Sequence, residues 1–285
     1  DAPAMYTDEQ EQGWKAITKA VHDAGGQIVL QLWHMGRVSH PDFLDGAQPH
    51  GPSAIAAEGE HKSVHKPYVV PHAMTVDEIQ AAVAAYGDAA KRAIRAGFDG
   101  VEIHGANGYL IDQFLRDGSN VRTDAYGGSI ENRARFMTEV VDSVVKAAGP
   151  ERTGIRLTAM NGYNSMTDSN LDAVMVHAAK VLSGFNLAFL HVREPVAKRV
   201  ITPQMRAVYK GVIIGNDGYD GASAQAAIDS GDVDAVAFGV KFIANPDLVE
   251  RMAIGAALNV PDTKSFYRGG AEGYTDYPTL GAKAA

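Results

Sequence analysis

Three side chains that could hold and protonate a small molecule fall close together at residues 104–109. His104, Asn107 and Tyr109 follow a short apolar run and are separated by Gly105 and Gly108. An imidazole and a carboxamide side by side offer two hydrogen-bond donors to one carbonyl or nitro oxygen, and a nearby phenol can protonate a neighbouring carbon. The pattern predicts a site that stabilises charge on a substrate oxygen while hydride reaches the β-carbon. Alternatively, the histidine and asparagine only cap a strand end and satisfy backbone groups, and the spacing leaves both interpretations open.

Further polar side chains stand at the ends of other apolar runs. They are Gln31, Trp33 and His34 in the first run, Arg156 in the third, His191 in the fourth, and Asn216 with Asp217 after the fifth. Neighbouring residues of a strand point to opposite faces, so we expect His34 to be structural if Trp33 faces a site. His191 is likewise expected to be a satisfied histidine at a strand end.

The elements that must position these side chains alternate between strands and helices. Short apolar, β-branched runs predict strands at residues 27–33, 100–104, 153–158, 187–192, 211–214 and 235–239. Helical patterns lie between them, with N-caps predicted at Thr7 and Thr75 and further helices over residues 131–148, 170–182, 223–230 and 246–257. Runs that are apolar throughout indicate strands buried on both faces, so the alternation predicts a parallel sheet covered by helices.

Two closures of such a sheet compete. A doubly wound sheet would carry a glycine-rich phosphate turn after its first strand, and residues 32–37 do not form one. A barrel collects its functional residues at the C-terminal ends of several strands, which is where the polar residues fall. The predicted fold class is therefore α/β, a TIM (β/α)8-type barrel in a single domain over residues 1–285, with six of the eight βα units visible.

Composition excludes several classes of protein. The chain has 285 residues, a formal net charge of −8 and no cysteine. The lack of cysteine excludes disulfides, thiolate nucleophiles and iron–sulfur clusters, and the acidic balance argues against nucleic-acid binding. No apolar run reaches the roughly 18 residues of a membrane span, and the first six residues lack the pattern of a signal peptide. These features predict a cytoplasmic protein with no membrane or nucleic-acid partner, and they leave monomer and homo-oligomer open.

Six motifs occur in a fixed order along nearly the whole chain. They cover residues 31–37, 99–114, 122–133, 154–156, 244–248 and 270–278. In this set the chain resembles the old yellow enzyme family of FMN-dependent ene-reductases. The resemblance implies a barrel flavoenzyme that reduces activated C=C bonds of enones, enals, maleimides and nitroalkenes. NADPH or NADH would be the reductant, in a ping-pong hydride transfer.

The resemblance also implies a role for individual residues. His104 and Asn107 would hold the electron-withdrawing oxygen of the small-molecule substrate, and Tyr109 would protonate its α-carbon. Gln31 would hydrogen-bond the pyrimidine edge of the flavin, and Arg156 would place a cation near its N1 and O2 atoms.

Two aromatic residues, Trp33 and Tyr274, are implied to line the substrate cavity. Aromatic side chains are also common in protein cores, so packing alone is the alternative for both. His61, His65 and His72 stand in a polar loop without the fixed geometry that a metal site needs. We expect them to be solvated, and no metal is predicted.

The phosphate end of the expected flavin site departs from the family pattern. Val240 stands where the family has an arginine that grips the FMN phosphate, and Lys241 is expected to point to the other side of the strand. Asp217 stands where a small residue is usual, and its carboxylate is expected to repel the phosphate. The backbone N–H groups of Gly218 and Gly239 could still bind the phosphate. Because the arginine is missing at Val240 and Asp217 adds a negative charge, the sequence predicts weak FMN affinity.

The family chain begins with two further strands before the point where this sequence starts, which agrees with the count of six. The sequence thus predicts an N-terminally incomplete barrel, or one whose remaining strands come from elsewhere. One alternative to an active reductase is a truncated or degenerate barrel that does not retain FMN and is inactive or assembly-dependent. Another is a cofactor-free or metal-dependent barrel lyase or hydrolase, for which no metal-ligand pattern is visible.

Overall fold

A curved sheet of six parallel strands organises the fold in a computed structural model of the chain, which describes residues 3–160, 162–266 and 270–281. The strands are β1 (Val29–Leu32), β6 (Gly100–Gly105), β7 (Thr153–Thr158), β8 (Phe189–Arg193), β9 (Ile213–Asn216) and β10 (Ala235–Ala237). They pair in the order β1-β6-β7-β8-β9-β10, every pair parallel. Asp1 and Ala2, which begin the N-terminal segment that lacks a signal-peptide pattern, lie outside the described residues.

Two smaller sheets lie in the long connection after β1. Strands β2 (His50–Gly51) and β5 (His72–Ala73) pair in parallel, and β3 (Glu60–His61) and β4 (Lys66–Pro67) form an antiparallel hairpin. The hairpin corrects the expectation that His61 is solvated. His61 is 7% exposed and packs on Phe43 with a ring-centroid distance of 5.2 Å. Within the described residues, no cluster of three or more His, Cys, Asp or Glu side chains could hold a metal ion.

Helices connect the successive strands. They are α1 (Asp8–Asp23), α2 (Val76–Arg95), α3 (Leu110–Leu115), α4 (Ile130–Ala148), α5 (Leu171–Leu182), α6 (Thr202–Val208), α7 (Gly221–Asp229), α8 (Val240–Ala244) and α9 (Leu248–Ile254). The predicted caps are confirmed, since Thr7 and Thr75 each accept a hydrogen bond from the third helical residue, whose side chain bonds back. No helix in the described part of the chain is long and apolar enough to cross a membrane.

Strand β6 shows how the sheet separates core from site. Val101 and Ile103 are fully buried in the hydrophobic core, and each contributes roughly 1.5–3 kcal/mol by leaving water. The alternating residues Glu102 and His104 carry the polar side chains of the strand. The period-two alternation therefore directs chemistry to one face and packing to the other.

The predicted strands are all present, with bounds within two residues of those expected. Helices α3, α6 and α8 were not predicted, because five to seven residues are too few to show a helical period. Strand β10 ends at Ala237, two residues earlier than expected. Val240 and Lys241 therefore begin helix α8 and do not follow strand geometry.

Candidate active site

Three rings meet where strands β1 and β6 end. The ring of Trp33 lies 6.0 Å from that of His104 in a stacked arrangement and 4.7 Å from that of Tyr109, edge to face. The rings of His104 and Tyr109 are 5.0 Å apart, again edge to face. Trp33 remains 45% exposed although His104 beside it is 5% exposed, so the tryptophan ring presents a solvent-accessible surface next to the buried imidazole.

The environment of His104 fixes its chemical state. Its Nδ1 atom accepts a hydrogen bond of 3.2 Å from the backbone N–H of Ala106, which leaves the proton on Nε2. Burial, together with the nearby charge of Arg156, lowers the pKa of His104 to about 4. At neutral pH the imidazole is therefore uncharged and offers Nε2–H as a donor.

Asn107 is held by its backbone in a left-handed conformation, with φ of 58°. Its N–H donates to Oγ1 of Thr158 at 2.8 Å, and its carbonyl accepts from Nδ2 of Asn164 at 2.8 Å. The next residue, Gly108, has φ of 74°, and a Cβ there would lie 2.7 Å from Cγ of Met166. Only glycine fits this turn, which carries Asn107 between His104 and Tyr109.

Tyr109 follows the same turn and stands at the N-cap of α3. Burial raises its pKa above the ordinary value, and the nearby phenols of Tyr163 and Tyr68 raise it further. The hydroxyl therefore keeps its proton at neutral pH and can act as a proton donor.

Below these rings, a chain of polar contacts crosses the interior of the sheet. Gln31 Nε2 donates to Oε2 of Glu102 at 2.5 Å, and Oε1 of Glu102 lies 2.7 Å from Nδ1 of His191. Burial is the largest influence on the pKa of Glu102 and raises it. The hydrogen bonds with His191 and Gln31 and the charges of His191 and Arg156 together outweigh burial, so the pKa lies below its ordinary value. The expectation of a satisfied histidine at His191 therefore holds for Nδ1 alone, because its buried Nε2 has no hydrogen-bond partner among the described residues.

Arg156 reaches across the sheet toward β9. Its Nη2 atom donates to Oδ1 of Asn216 at 2.7 Å, and Nδ2 of Asn216 donates to the carbonyl of Ala237 at 2.9 Å. A cation and an amide, Arg156 and Gln31, therefore stand at the same end of the sheet.

The turn after β9 corrects the expectation of a repelling carboxylate. Asp217 adopts φ of 97°, and its Oδ2 atom accepts from Nε of Arg193 at 3.1 Å. The ion pair offsets the negative charge that was expected to oppose a phosphate. Gly218 follows with φ of 80°, and no atom lies within 4 Å of a Cβ built on Gly239.

Lys241 does not point away from this turn, contrary to the expectation from strand alternation. Its ammonium group donates to the backbone carbonyl of Tyr219. The expectation was wrong because the chain is helical from Val240 onward. A cation therefore bridges the turns after β9 and β10, while the Val240 side chain is 43% exposed.

Some of the residues predicted for the site lie together, and others do not. The rings of His104, Tyr109 and Trp33 converge, and Asn107 lies on the turn between His104 and Tyr109 with its side chain against Arg193 and Thr158. The ring of Tyr274 instead packs on Phe266 at 6.4 Å in the C-terminal segment. The place of Tyr274 in the cavity stays a prediction. Arg193 was not predicted as a site residue, although an arginine at the end of an otherwise apolar strand was a visible signal in the sequence.

The donor set suits a flat heterocycle with a phosphate tail. Gln31 and Arg156 supply an amide and a cation at the inner end, and the exposed ring of Trp33 follows two residues after Gln31. Gly218 and Gly239 are both exposed at the outer end, and exposed backbone N–H groups of this kind bind anions. These residues fit FMN at both ends.

Comparisons with known proteins agree with this geometry. A family model described as the NADH:flavin oxidoreductase / NADH oxidase family matches residues 1–259. A probable flavin mononucleotide-dependent alkene reductase of Leishmania infantum is 45% identical over 97% of this chain and 79% of its own length. The 12-oxophytodienoate reductase 2 of Arabidopsis thaliana is 39% identical over 100% of this chain and 79% of its own length.

Solved structures are similar over the same extent. Morphinone reductase in complex with tetrahydroNAD aligns at a TM-score of 0.92 with 50% identity, over 98% of this chain and 80% of that chain. An old yellow enzyme homologue from Zymomonas mobilis aligns at 0.94 with 43% identity, over 98% of this chain and 81% of that chain. This agreement confirms the predicted barrel class.

Proposed function

The chain belongs to the NADH:flavin oxidoreductase / NADH oxidase family, and we propose that it is an FMN-dependent reductase of activated C=C bonds. Relatives at 39–50% identity carry the names of an alkene reductase, a 12-oxophytodienoate reductase and a morphinone reductase. A degenerate barrel is not supported, since these relatives match nearly the whole chain and are named as reductases. The substrates are small molecules whose double bond is conjugated to a carbonyl or nitro group.

His104 and Asn107 act on the substrate oxygen. The neutral imidazole donates through Nε2–H, and the carboxamide of Asn107 donates beside it. His104 is held by the N–H of Ala106, and Asn107 is held through its backbone by Thr158 of β7, so they need no rearrangement when negative charge develops on the oxygen. Tyr109, which keeps its proton, delivers it to the α-carbon.

The cofactor end of the site uses a second set of residues. When bound, FMN supplies the hydride that reaches the β-carbon. Gln31 and Arg156 would hold the pyrimidine edge, and the cation of Arg156 would favour negative charge on the ring. Gly218 and Gly239 would bind the phosphate through their backbone N–H groups, with Val240 at the position where the family pattern has an arginine.

The observation that carries the proposal is the cluster of His104, Asn107 and Tyr109 on one turn. Two donors with fixed chemical state and one protonated phenol are what a conjugate reduction requires from the protein. NADPH or NADH serves as the reductant. A cytoplasmic location and a single barrel domain remain predictions.

A paired-substrate assay tests the proposal. The FMN-loaded protein is mixed without oxygen with NADPH or NADH and with 2-cyclohexenone, or with cyclohexene as the matched control that lacks the oxygen. We expect coenzyme oxidation and cyclohexanone in equal amounts with the enone, and neither with cyclohexene. Coenzyme oxidation without any reduced product, in protein that retains FMN, would contradict the proposal.

A further inference from the structure

We propose that Arg193 is a positioning residue that fixes the carboxamide of Asn107 with its Nδ2–H2 group toward the substrate oxygen. The inference rests on the proposed function, because it concerns one of the two donors in that site. Arg193 is the last residue of β8, and Asn107 follows β6, two strands away in the sheet. Their contact joins parts of the chain that are 86 residues apart.

The contact is short and well oriented. Nη1 of Arg193 donates to Oδ1 of Asn107 at 2.6 Å. The same oxygen accepts a second, longer contact of 3.4 Å from the hydroxyl of Thr158. Both acceptor positions of the carboxamide oxygen are therefore used. Among the described residues, no hydrogen bond uses Nδ2 of Asn107, which is the group left for a ligand.

Arginine decides the orientation of the amide because a guanidinium has donors and no acceptor. A carboxamide can rotate by half a turn and exchange its oxygen for its nitrogen at little cost in shape. Beside Arg193, the exchanged orientation would set Nδ2–H2 against an N–H donor and leave Oδ1 facing the substrate oxygen. That orientation repels the substrate and cannot stabilise negative charge on it.

The guanidinium is itself anchored on its other side. Nε of Arg193 donates to Oδ2 of Asp217 at 3.1 Å, and the cation lies 5.1 Å from the ring centroid of Tyr163. The side chain of Arg193 is 20% exposed and that of Asp217 is 30% exposed, so the pair is partly shielded from water. A guanidinium held by Asp217 and Tyr163 has little freedom to move away from Asn107.

A double-mutant cycle tests whether Arg193 acts through Asn107. Arg193→Met is made in the wild-type protein and in Asn107→Ala, and Arg193→Lys serves as the conservative variant. Phenol is the probe, since its oxygen mimics the substrate oxygen and it cannot be reduced. Its dissociation constant is read from the absorbance change of bound FMN, so only flavin-loaded protein reports.

We expect Arg193→Met to weaken phenol binding about 10-fold in the wild-type background and less than about 2-fold in Asn107→Ala. Arg193→Lys, which still donates, should recover part of the loss. Arg199→Met is the matched control. It removes an arginine of similar exposure, 17%, that pairs with Asp232 instead, and it should leave phenol binding unchanged.

Equal losses in the two backgrounds would overturn the proposal, because Arg193 would then act independently of Asn107. Unchanged phenol binding in Arg193→Met would overturn it as well. Failure of the wild-type protein to reduce 2-cyclohexenone would contradict the proposed function and not this inference, since the phenol cycle measures binding alone.

Discussion

His104 shows, at the scale of one residue, how burial selects the chemistry of a side chain. Removed from water and placed near Arg156, the imidazole has a pKa of about 4 and stays neutral. A neutral imidazole with Nδ1 occupied by a backbone donor has one possible donor, Nε2–H. The identity and spacing of the residue were visible in the sequence, whereas its protonation state depended on contacts that only the fold supplies.

This shift predicts that stability depends on pH in a definite direction. Histidine in the unfolded chain has a pKa near 6.5, whereas folded His104 has a pKa of about 4 and therefore binds its proton only at lower pH. The unfolded state therefore gains protons first, and the free energy of unfolding falls as the pH is lowered from 6.5 toward 4. Between pH 6.5 and 4.5 the loss from this residue should be about 2 kcal/mol.

Urea unfolding of the FMN-free protein and of His104→Gln over this pH range checks the prediction. The wild-type protein should lose more stability than the variant as the pH falls. Parallel pH profiles would show that folded His104 takes up a proton as readily as unfolded histidine does.

At the scale of elements, the turns after β9 and β10 were the least predictable part of the site. The strand end at Ala237 could not be placed, because Phe238 and Gly239 continue the apolar run without a break in pattern. Because the strand ends two residues earlier than predicted, Lys241 lies in a helix and does not follow strand geometry. The pairing of Asp217 with Arg193 was equally hidden, because it depends on the register of β8 against β9.

These turns yield a prediction about flavin affinity. Val240→Arg would add a guanidinium able to bind the FMN phosphate in charge-assisted hydrogen bonds, and it should tighten FMN binding about 10-fold, or about 1.4 kcal/mol. Lys241→Met should weaken binding, because it removes the cation that bridges the two turns.

Quenching of FMN fluorescence on titration with apoprotein measures both effects. Lys210→Met, which removes an exposed lysine near the carbonyl of Ala207, is the control and should change nothing. Identical dissociation constants for Val240→Arg, Lys241→Met and the wild-type protein would show that neither position is near the phosphate.

At the scale of the whole molecule, the barrel order made the location of the site predictable. Parallel strands that pair in chain order bring all their C-terminal ends to one edge, so polar residues at those ends must meet. The positions of His104, Asn107, Gln31 and Arg156 at this edge could therefore be predicted from the sequence. The contact of Arg193 with Asn107 could not be predicted, because side chains on strands that do not pair meet only through the curvature of the sheet.

The most direct test of the whole account separates the two half-reactions in Tyr109→Phe. Without oxygen, bound FMN is first reduced by NADPH and then reoxidised by 2-cyclohexenone, each step followed by stopped-flow absorbance, with Tyr163→Phe as the neighbouring control. The account predicts that Tyr109→Phe leaves reduction unchanged and slows reoxidation by roughly 100-fold or more, as expected for loss of a general acid. Slowing of the reduction step alone, or equal reoxidation rates in Tyr109→Phe and the wild-type protein, would contradict it.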